Sequence, residues 1–283
     1  MIIINEKISC MCYYNGTKVT RSEYIRLKQI EKLVAKYDFL NTPLHIGFEY
    51  GPTPVLKRHP DEIDFDIVQM EWGFIPDANK WPFIETREQL DKFRKGFVDS
   101  RGKFQQLTML NAVSEELLLS NKIYREAALK RRCLILSTGF FDWRHIFPKN
   151  KRTGKPNKTA VKYPYHVTVK DKEYFYMAGV WQPWTDADTG EYVESCAIVT
   201  TEAPKGHIMA KVHNSKKRMP TILTEDLAYD WLFKDLSEKE ILETAGYVFD
   251  SNLMQACSIK KDFIGQLDPT MPFEYEDLPA FEF

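Results

Sequence analysis

The chain has 283 residues, of which 43% are hydrophobic and 28% charged, and its formal net charge is −1 at pH 7. This length and composition are ordinary for a globular protein with a full hydrophobic core. A chain with no net positive charge does not attract nucleic acid as a whole, so any DNA contact must come from a local basic face.

Cysteine usage and hydropathy indicate where the protein resides. The 5 cysteines are scattered and lack the spacing of a zinc site, which indicates free thiols in a reducing environment. No stretch is long and apolar enough to span a membrane, and the apolar run at residues 1–4 is too short for a signal-peptide core. We therefore expect a cytoplasmic protein with no membrane contact. No nucleotide-binding fingerprint or metal-ligand cluster appears, so we expect no cofactor and no metal.

Capping signals and periodicity predict the elements in the first half of the chain. Thr20 followed by Glu23 reads as a capping box, and the apolar residues after it have helical spacing. The predicted helix would place on one face Tyr24, Leu27, Ile30, Val34 and Tyr37. Further along, a strand, a helix and a second strand are predicted at residues 67–73, 122–130 and 133–136.

The second half is predicted to be rich in strands. After a basic loop, strands are expected at residues 163–169, 174–181 and 194–201. The first two would form a hairpin through the turn at residues 170–172. Thr224 caps a predicted helix through Leu232, and Ser237 with Glu240 forms a capping box for another. Short strands mixed with a few helices, without regular βαβ alternation, predict one α+β domain.

Four separated segments carry the groups that could do chemistry. They are Met11-Cys12 and residues 110–115 (LNAVSE), 138–143 (TGFFDW) and 212–220 (VHNSKKRMP). Together they offer a thiol, an amide, a carboxylate and an imidazole. A lone residue of each kind has a structural interpretation: Cys12 as a free thiol, Asn111 as a turn cap, Asp142 as a partner of Arg144, and His213 as a core histidine.

In this order, the four segments resemble the SOS response-associated peptidase (SRAP) family. Those proteins cross-link to abasic sites in single-stranded DNA through an N-terminal cysteine. The resemblance also includes residues 72–76 (WGFIP) and covers residues 11–262. It implies an SRAP-type α+β domain with a curved, mostly antiparallel β core, flanking helices and a basic surface groove. Residues 263–283 are expected to form an acidic, aromatic and irregular C-terminal tail, which either folds over that groove or is disordered.

The resemblance also implies a role for each residue. Cys12 would close a thiazolidine ring on the opened sugar, Asn111 would position the groups, Asp142 would move protons, and His213 would act as an acid and drive reversal. The implied partner is single-stranded DNA containing abasic sites, bound by a monomer. The expected DNA contacts are Trp72, Pro76, Lys216, Lys217 and Arg218, with a plain core position as the alternative for Trp72.

Two positions depart from the family pattern. Val113 stands where relatives often have an arginine for DNA phosphate, which leaves that contact without its usual residue. Asp142 stands where the family has glutamate, one methylene longer. A displacement of about 1 Å at a reacting group can cost roughly a hundredfold in rate, so the shorter carboxylate predicts slower chemistry unless the backbone compensates.

The position of Cys12 leaves three functions open. Thiazolidine chemistry needs a free amine on the cysteine, so we expect residues 1–10 to be a wrongly assigned start or a removed leader. A cysteine (auto)peptidase could instead use Cys12 with His213 and Asp142, the leader serving as its propeptide. If Met1 is retained and Cys12 stays internal, the expected function is non-covalent binding of single-stranded DNA or its lesions.

Overall fold

Strands dominate residues 12–150 and 152–281, the residues that the computed structural model describes. The predicted leader, residues 1–10, and Met11 lie outside them. The strands are β1 (Tyr14–Lys18), β2 (Tyr24–Leu27), β3 (Ile30–Leu33), β4 (Asn41–Ile46), β5 (Pro52–Arg58), β6 (Phe65–Trp72), β7 (Phe97–Val98), β8 (Phe104–Gln105), β9 (Asn111–Val113), β10 (Arg132–Ser137), β11 (Gly139–Ile146), β12 (Val161–Val169), β13 (Phe175–Thr185), β14 (Tyr192–Glu202), β15 (Arg218–Pro220), β16 (Ile222–Leu223) and β17 (Met254–Ser258). The helices are α1 (Arg87–Lys95), α2 (Arg125–Lys130), α3 (Ile208–Val212), α4 (Glu225–Phe233) and α5 (Glu238–Ala245).

The larger sheet closes on itself. Strand β14 pairs with β6, the order continues through β5, β10 and β13, and β13 pairs again with β14. These pairings are antiparallel except for β6 with β14, and the short β9 also runs parallel to β14. The α+β class and the mostly antiparallel β core predicted from the sequence are confirmed.

Both faces of this sheet are covered, which explains the unbroken apolar run of β10. Leu134 and Leu136 pack on one side in a cluster that includes Trp231 of α4. Cys133 and Ile135 point the other way, into a second cluster that also contains Cys12 and residues of the smaller sheet. A strand buried on both faces needs apolar side chains at every position, not at alternate ones.

The smaller sheet brings the first and third motif segments together. Its strand order is β17, β12, β11, β1, β4. The register pairs Tyr14 of β1 with Phe141 of β11, so Cys12 and Asp142 lie within two residues of a paired position. Gly16 allows β4 to pack closely on the other side of β1, because a Cβ there would lie 2.7 Å from the carbonyl oxygen of Pro43.

Two helices begin where the sequence predicts. The Thr224 side chain accepts a hydrogen bond from the Leu227 amide at the start of α4, and Ser237 and Glu240 form the predicted capping box of α5. Helix α4 then buries Trp231, whose indole N–H donates to the carbonyls of Cys133 and Gly179. No helix in the described part of the chain is long and apolar enough to cross a membrane.

The helix predicted after Thr20 is wrong. Residues 24–33 form the β2–β3 hairpin, which turns at Lys28 in the left-handed region, with φ 54°. Three consecutive amides, of residues 20, 21 and 22, donate to the carboxylate of Glu173. At the start of a helix these N–H groups would be bonded by a local capping side chain. Here the carboxylate of Glu173, far away in the sequence, accepts their hydrogen bonds instead.

The hairpin predicted at residues 170–172 is also wrong. The strands on either side exist, but β12 belongs to the smaller sheet and β13 to the larger one. Asp171, with φ 56°, turns the chain from one sheet to the other. The turn at residues 186–190, by contrast, joins a true hairpin, β13 with β14. The predicted basic loop is shorter than expected, because β11 extends to Ile146 and β12 begins at Val161.

Candidate functional site

Cys12 lies just before β1 with 2% of its surface exposed. Its thiol is directed at the carbonyl oxygen of Tyr14, with Sγ 3.6 Å from that atom. Burial raises the pKa of the thiol far above its usual range, and the nearby charge of Asp142 raises it further. The sulfur is therefore held as a protonated thiol, in contrast to the low-pKa thiolates of reactive cysteines.

Asn111 connects the second motif segment to Cys12. Its Nδ2 donates to the carbonyl oxygen of Cys12 at 3.1 Å. Strand β9 fixes the Asn111 backbone beside Ile198 of β14, and the hydroxyl of Tyr124 donates to the Asn111 carbonyl oxygen at 3.1 Å. The side-chain oxygen Oδ1 is buried and accepts no hydrogen bond among the described residues. A fixed acceptor is thus available next to Cys12 for an incoming N–H or O–H group.

Asp142 and His213 form a buried pair. Asp142 Oδ2 lies 3.1 Å from His213 Nδ1, with 8% and 3% of the two side chains exposed. The two atoms lack the alignment of a linear hydrogen bond, while Asp142 Oδ1 accepts from the Trp143 amide at 2.7 Å. His213 directly follows the last residue of α3, and its amide donates to the Met209 carbonyl oxygen. The shorter carboxylate therefore still reaches the imidazole.

Asn214 lies in the fourth motif segment, but no role was predicted for it. Its side chain accepts from the His145 amide at 2.8 Å and donates to the His145 carbonyl oxygen at 2.7 Å. These two hydrogen bonds resemble the pair that two antiparallel strands exchange. They form on β11 beyond the residues of that strand that pair with β1. These bonds hold the loop of His213 against the strand of Asp142. The available signal in the sequence was an asparagine directly after the histidine.

The predicted DNA contacts separate into buried and exposed residues. Trp72 has 1% of its surface exposed, and its indole N–H donates to the Leu110 carbonyl oxygen. Pro76 is also buried. Both side chains are core positions, so the DNA contacts expected of Trp72 and Pro76 are not found. Lys216 and Lys217 are exposed on the loop after His213.

Arg218 has a different environment from the two lysines before it. Its guanidinium makes two hydrogen bonds to the Glu115 carboxylate, at 2.8 and 2.9 Å, and a third to the Thr200 carbonyl oxygen. Burial acts against ionisation of Glu115, but the hydrogen bonds from Arg218 lower its pKa below the usual value. Arg218 thus connects the second and fourth motif segments. No group of three or more metal-ligating side chains occurs in the part of the chain that the structure describes.

Comparisons with known proteins show which family the chain resembles. The family model described as SOS response associated peptidase (SRAP) matches residues 44–263. The abasic site processing protein YoqW of Bacillus subtilis (strain 168) is 25% identical over 176 residues, which are 62% of this chain and 70% of that protein. The abasic site processing protein HMCES of Gallus gallus is 24% identical over 215 residues, 68% of this chain and 54% of that protein.

A crystal structure of a Bacteroides thetaiotaomicron protein has a similar fold. It superimposes with a TM-score of 0.68 at 26% identity, covering 93% of this chain and all of that one (100%). The family model begins after Cys12 and includes Asn111, Asp142 and His213.

Proposed function

Because the chain belongs to the SOS response-associated peptidase family, we propose that it processes abasic sites in single-stranded DNA by forming a covalent bond through Cys12. The observation that carries this proposal is the hydrogen bond from Asn111 to Cys12 beside the Asp142–His213 pair. Four residues from separate segments thus surround one buried position. Relatives named abasic site processing proteins support the substrate class.

The reaction requires Cys12 to carry a free amine. That amine attacks the aldehyde carbon of the ring-opened sugar, and loss of one water gives a Schiff base. The thiol sulfur then adds to the same carbon, and its proton passes to the nitrogen as the thiazolidine ring closes. The product equals protein plus DNA minus one water, and no oxidant, reductant or cofactor takes part.

The buried groups supply the proton transfers. Formation and loss of water need a proton donor and acceptor near the same carbon, and a carboxylate and imidazole 3.1 Å apart can exchange these roles. The open Oδ1 of Asn111 orients the attacking amine or a sugar hydroxyl. His213 protonates the ring oxygen of the sugar when it opens. The same groups, working in the reverse direction, release the cross-link.

The state of the thiol favours this chemistry over peptide cleavage. A cysteine peptidase needs a thiolate, usually obtained by lowering the pKa of the sulfur. Burial and Asp142 act on Cys12 in the opposite direction. In the proposed reaction the amine attacks first and the neutral thiol follows, so a raised thiol pKa is compatible with it.

The test uses protein that begins at Cys12, confirmed by intact mass, with a single-stranded oligonucleotide that contains one abasic site. We expect a band that survives a denaturing gel and is absent for Cys12→Ser. Cys257→Ser is the matched control, since Cys257 is a half-buried thiol on β17, and it should keep the band. Absence of the band from protein with a verified terminal cysteine would refute the proposal.

A further inference from the structure

Residues 273–281, here called the strap, pack against the face of the smaller sheet that carries Asp142. The strap begins beside β17, where the Phe273 amide donates to the Ser258 carbonyl oxygen at 2.8 Å. It contains no helix or strand, and most of its residues are exposed. Its contacting side chains are those of Tyr275, Leu278 and Phe281, which pack on the cluster that contains Cys12. The tail expected from the sequence is therefore irregular, and within the strap three of its side chains pack on the protein.

The surface beneath the strap continues directly from the proposed site. Asp142 and Arg144 are two residues apart on β11 and so point to the same side of the sheet. The register places Tyr165 opposite Asp142 and Tyr163 opposite Arg144. One guanidinium and two phenol groups thus form a row that begins at the catalytic carboxylate. We call these three side chains the donor row.

The donor row has the chemistry of a phosphate site. A guanidinium presents paired N–H donors that match phosphate oxygens, and tyrosine hydroxyls are common donors to the DNA backbone. Burial and the hydrogen bond to Asp277 raise the pKa of Tyr163 to about 12, so its hydroxyl remains a donor. Lys261, whose Nζ lies 4.7 Å from the centre of the Tyr163 ring, adds a positive charge.

The strap now supplies the oxygens that this row binds. Arg144 donates to the Pro279 carbonyl oxygen at 2.6 Å and to the Ala280 carbonyl oxygen at 3.4 Å. Tyr163 donates to the carboxylate of Asp277 at 2.7 Å. The Phe281 ring lies 4.7 Å from the Arg144 guanidinium and 5.1 Å from the Tyr165 ring. The strap thus offers two carbonyl oxygens, one carboxylate and a flat ring, and a nucleotide likewise offers acceptor oxygens and a flat ring.

We propose that Arg144, Tyr163 and Tyr165 form a phosphate subsite for the strand flanking the lesion, and that the strap occupies this subsite until DNA displaces it. The inference rests on the proposed function, because it concerns DNA bound beside Cys12. It makes the strap an internal competitor of the substrate. A protein that binds only when its strap is open has an apparent Kd raised by the reciprocal of the open fraction.

The experiment measures non-covalent affinity separately from chemistry. The probe is a fluorescent single-stranded oligonucleotide with a tetrahydrofuran abasic analogue, which has no aldehyde and cannot cross-link. Chains ending at Pro272 and at Phe283 are compared by anisotropy, with thermal melting as a check of folding. We expect the shorter chain to bind roughly tenfold more tightly, as for a strap that is open about a tenth of the time.

If the shorter chain does not fold, a point variant of the full chain provides the test. Asp277→Ala removes the carboxylate that Tyr163 holds, and it should tighten binding roughly two- to threefold. Glu276→Ala removes the same charge from the neighbouring exposed position and is the matched control, with little expected change. Equal effects of the two variants would show that only the charge of the strap matters, which contradicts its seating on the donor row.

Arg144→Gln identifies the surface on which the strap acts. In the full chain this variant weakens the strap and the DNA contact together, so its effect is read in the chain ending at Pro272. In the chain ending at Pro272 it should remove most of the gain, since the guanidinium then faces DNA. A gain that persists without Arg144, or no gain on removal of the strap from a folded protein, overturns the proposal.

A second experiment, which measures covalent cross-linking, distinguishes failure of this inference from failure of the proposed function. The same variants are incubated with an oligonucleotide that carries a reactive abasic site and run on a denaturing gel. Affinity that depends on the strap, without a covalent band, keeps the subsite and rejects cross-linking. A band whose rate is the same in all variants, together with equal affinities, keeps cross-linking and rejects the subsite. Absence of binding by every variant rejects the subsite as well.

Discussion

The floor of the site and its rim are built in different ways. The floor consists of Asn111, Asp142 and His213, which are held by strands or by a helix end and are buried or nearly so. The rim consists of Lys216, Lys217 and the strap, which are mostly exposed. The chain passes from floor to rim within four residues, and the Lys217 amide donates back to the His213 carbonyl oxygen at 2.8 Å. We infer that the floor sets the rate of chemistry, whereas the rim sets the affinity for DNA.

The largest effect should come from the floor. His213→Gln keeps a polar side chain but removes the group that accepts and donates the proton, so the cross-linking rate should fall roughly 10²- to 10⁴-fold. Affinity for the unreactive probe should stay within about twofold, because phosphate contacts at the rim supply most of the affinity. Quenched denaturing gels give the rate, and His59→Gln, in the turn between β5 and β6, serves as control. A loss of affinity equal to the loss of rate would contradict the inference that the floor sets the rate and the rim sets the affinity.

A smaller effect is expected from the residue that positions the floor. Asn214→Ala removes both hydrogen bonds to His145, and the loop of His213 is then free to shift relative to β11. Since a misplacement of about 1 Å can cost roughly a hundredfold, we expect a ten- to hundredfold slower reaction with unchanged probe affinity. The pH profile of the rate should also change shape. An unchanged profile with a lower melting temperature would assign Asn214 a structural role alone.

Substitutions in the rim should change the affinity for DNA and the dependence of that affinity on salt. Replacing both Lys216 and Lys217 with glutamine removes two exposed charges, and the slope of log K against log salt should become shallower by about 1.4 for single-stranded DNA. The rate at saturating DNA should not change. Titrations of the probe at several salt concentrations measure both quantities, with Lys239→Gln on α5 as control. An unchanged slope would place the DNA elsewhere on the protein.

The smallest effect concerns the link between two motif segments. Glu115→Gln weakens the paired hydrogen bonds to Arg218 and should lower the free energy of unfolding by about 1 kcal/mol, a modest value because half of the Glu115 side chain is exposed. The pKa of Glu115 is depressed on folding from the ordinary 4.5. The stabilisation is therefore present above that value and is lost as the pH falls through the folded-state pKa.

Urea denaturation of both proteins at neutral pH and at about pH 3 tests this link. The difference between wild type and Glu115→Gln should shrink in acid. A difference that is the same at both values would mean that the carboxylate contributes through packing, not through its charge.

Local sequence patterns anticipated much of the fold. The caps of α4 and α5 and the apolar runs of β6, β10 and β14 depend on neighbours in the chain, and they were found where predicted. The β2–β3 hairpin was missed because its entry is fixed by Glu173, about 150 residues away. The β12–β13 turn was misread because the choice of sheet for each strand is made by distant partners.

The same distinction applies to the site. Short motifs pointed to Cys12, Asn111, Asp142 and His213 because the residue types and their neighbours suffice for that inference. Asn214 and the strap could not be assigned, because each acts through a partner that only the folded chain places beside it. Trp72 was ambiguous for the same reason, since a tryptophan motif does not tell whether the ring faces DNA or the core.

The central claim is that Cys12 bonds to the lesion through both its amine and its sulfur. The most direct test is the intact mass of the purified adduct, followed by mapping of the modified peptide. The account predicts protein plus oligonucleotide minus one water, attached to the peptide that begins with Cys12, with no free thiol left on that residue. An adduct attached to a lysine, or one in which the Cys12 thiol still reacts with an alkylating reagent, would contradict the account.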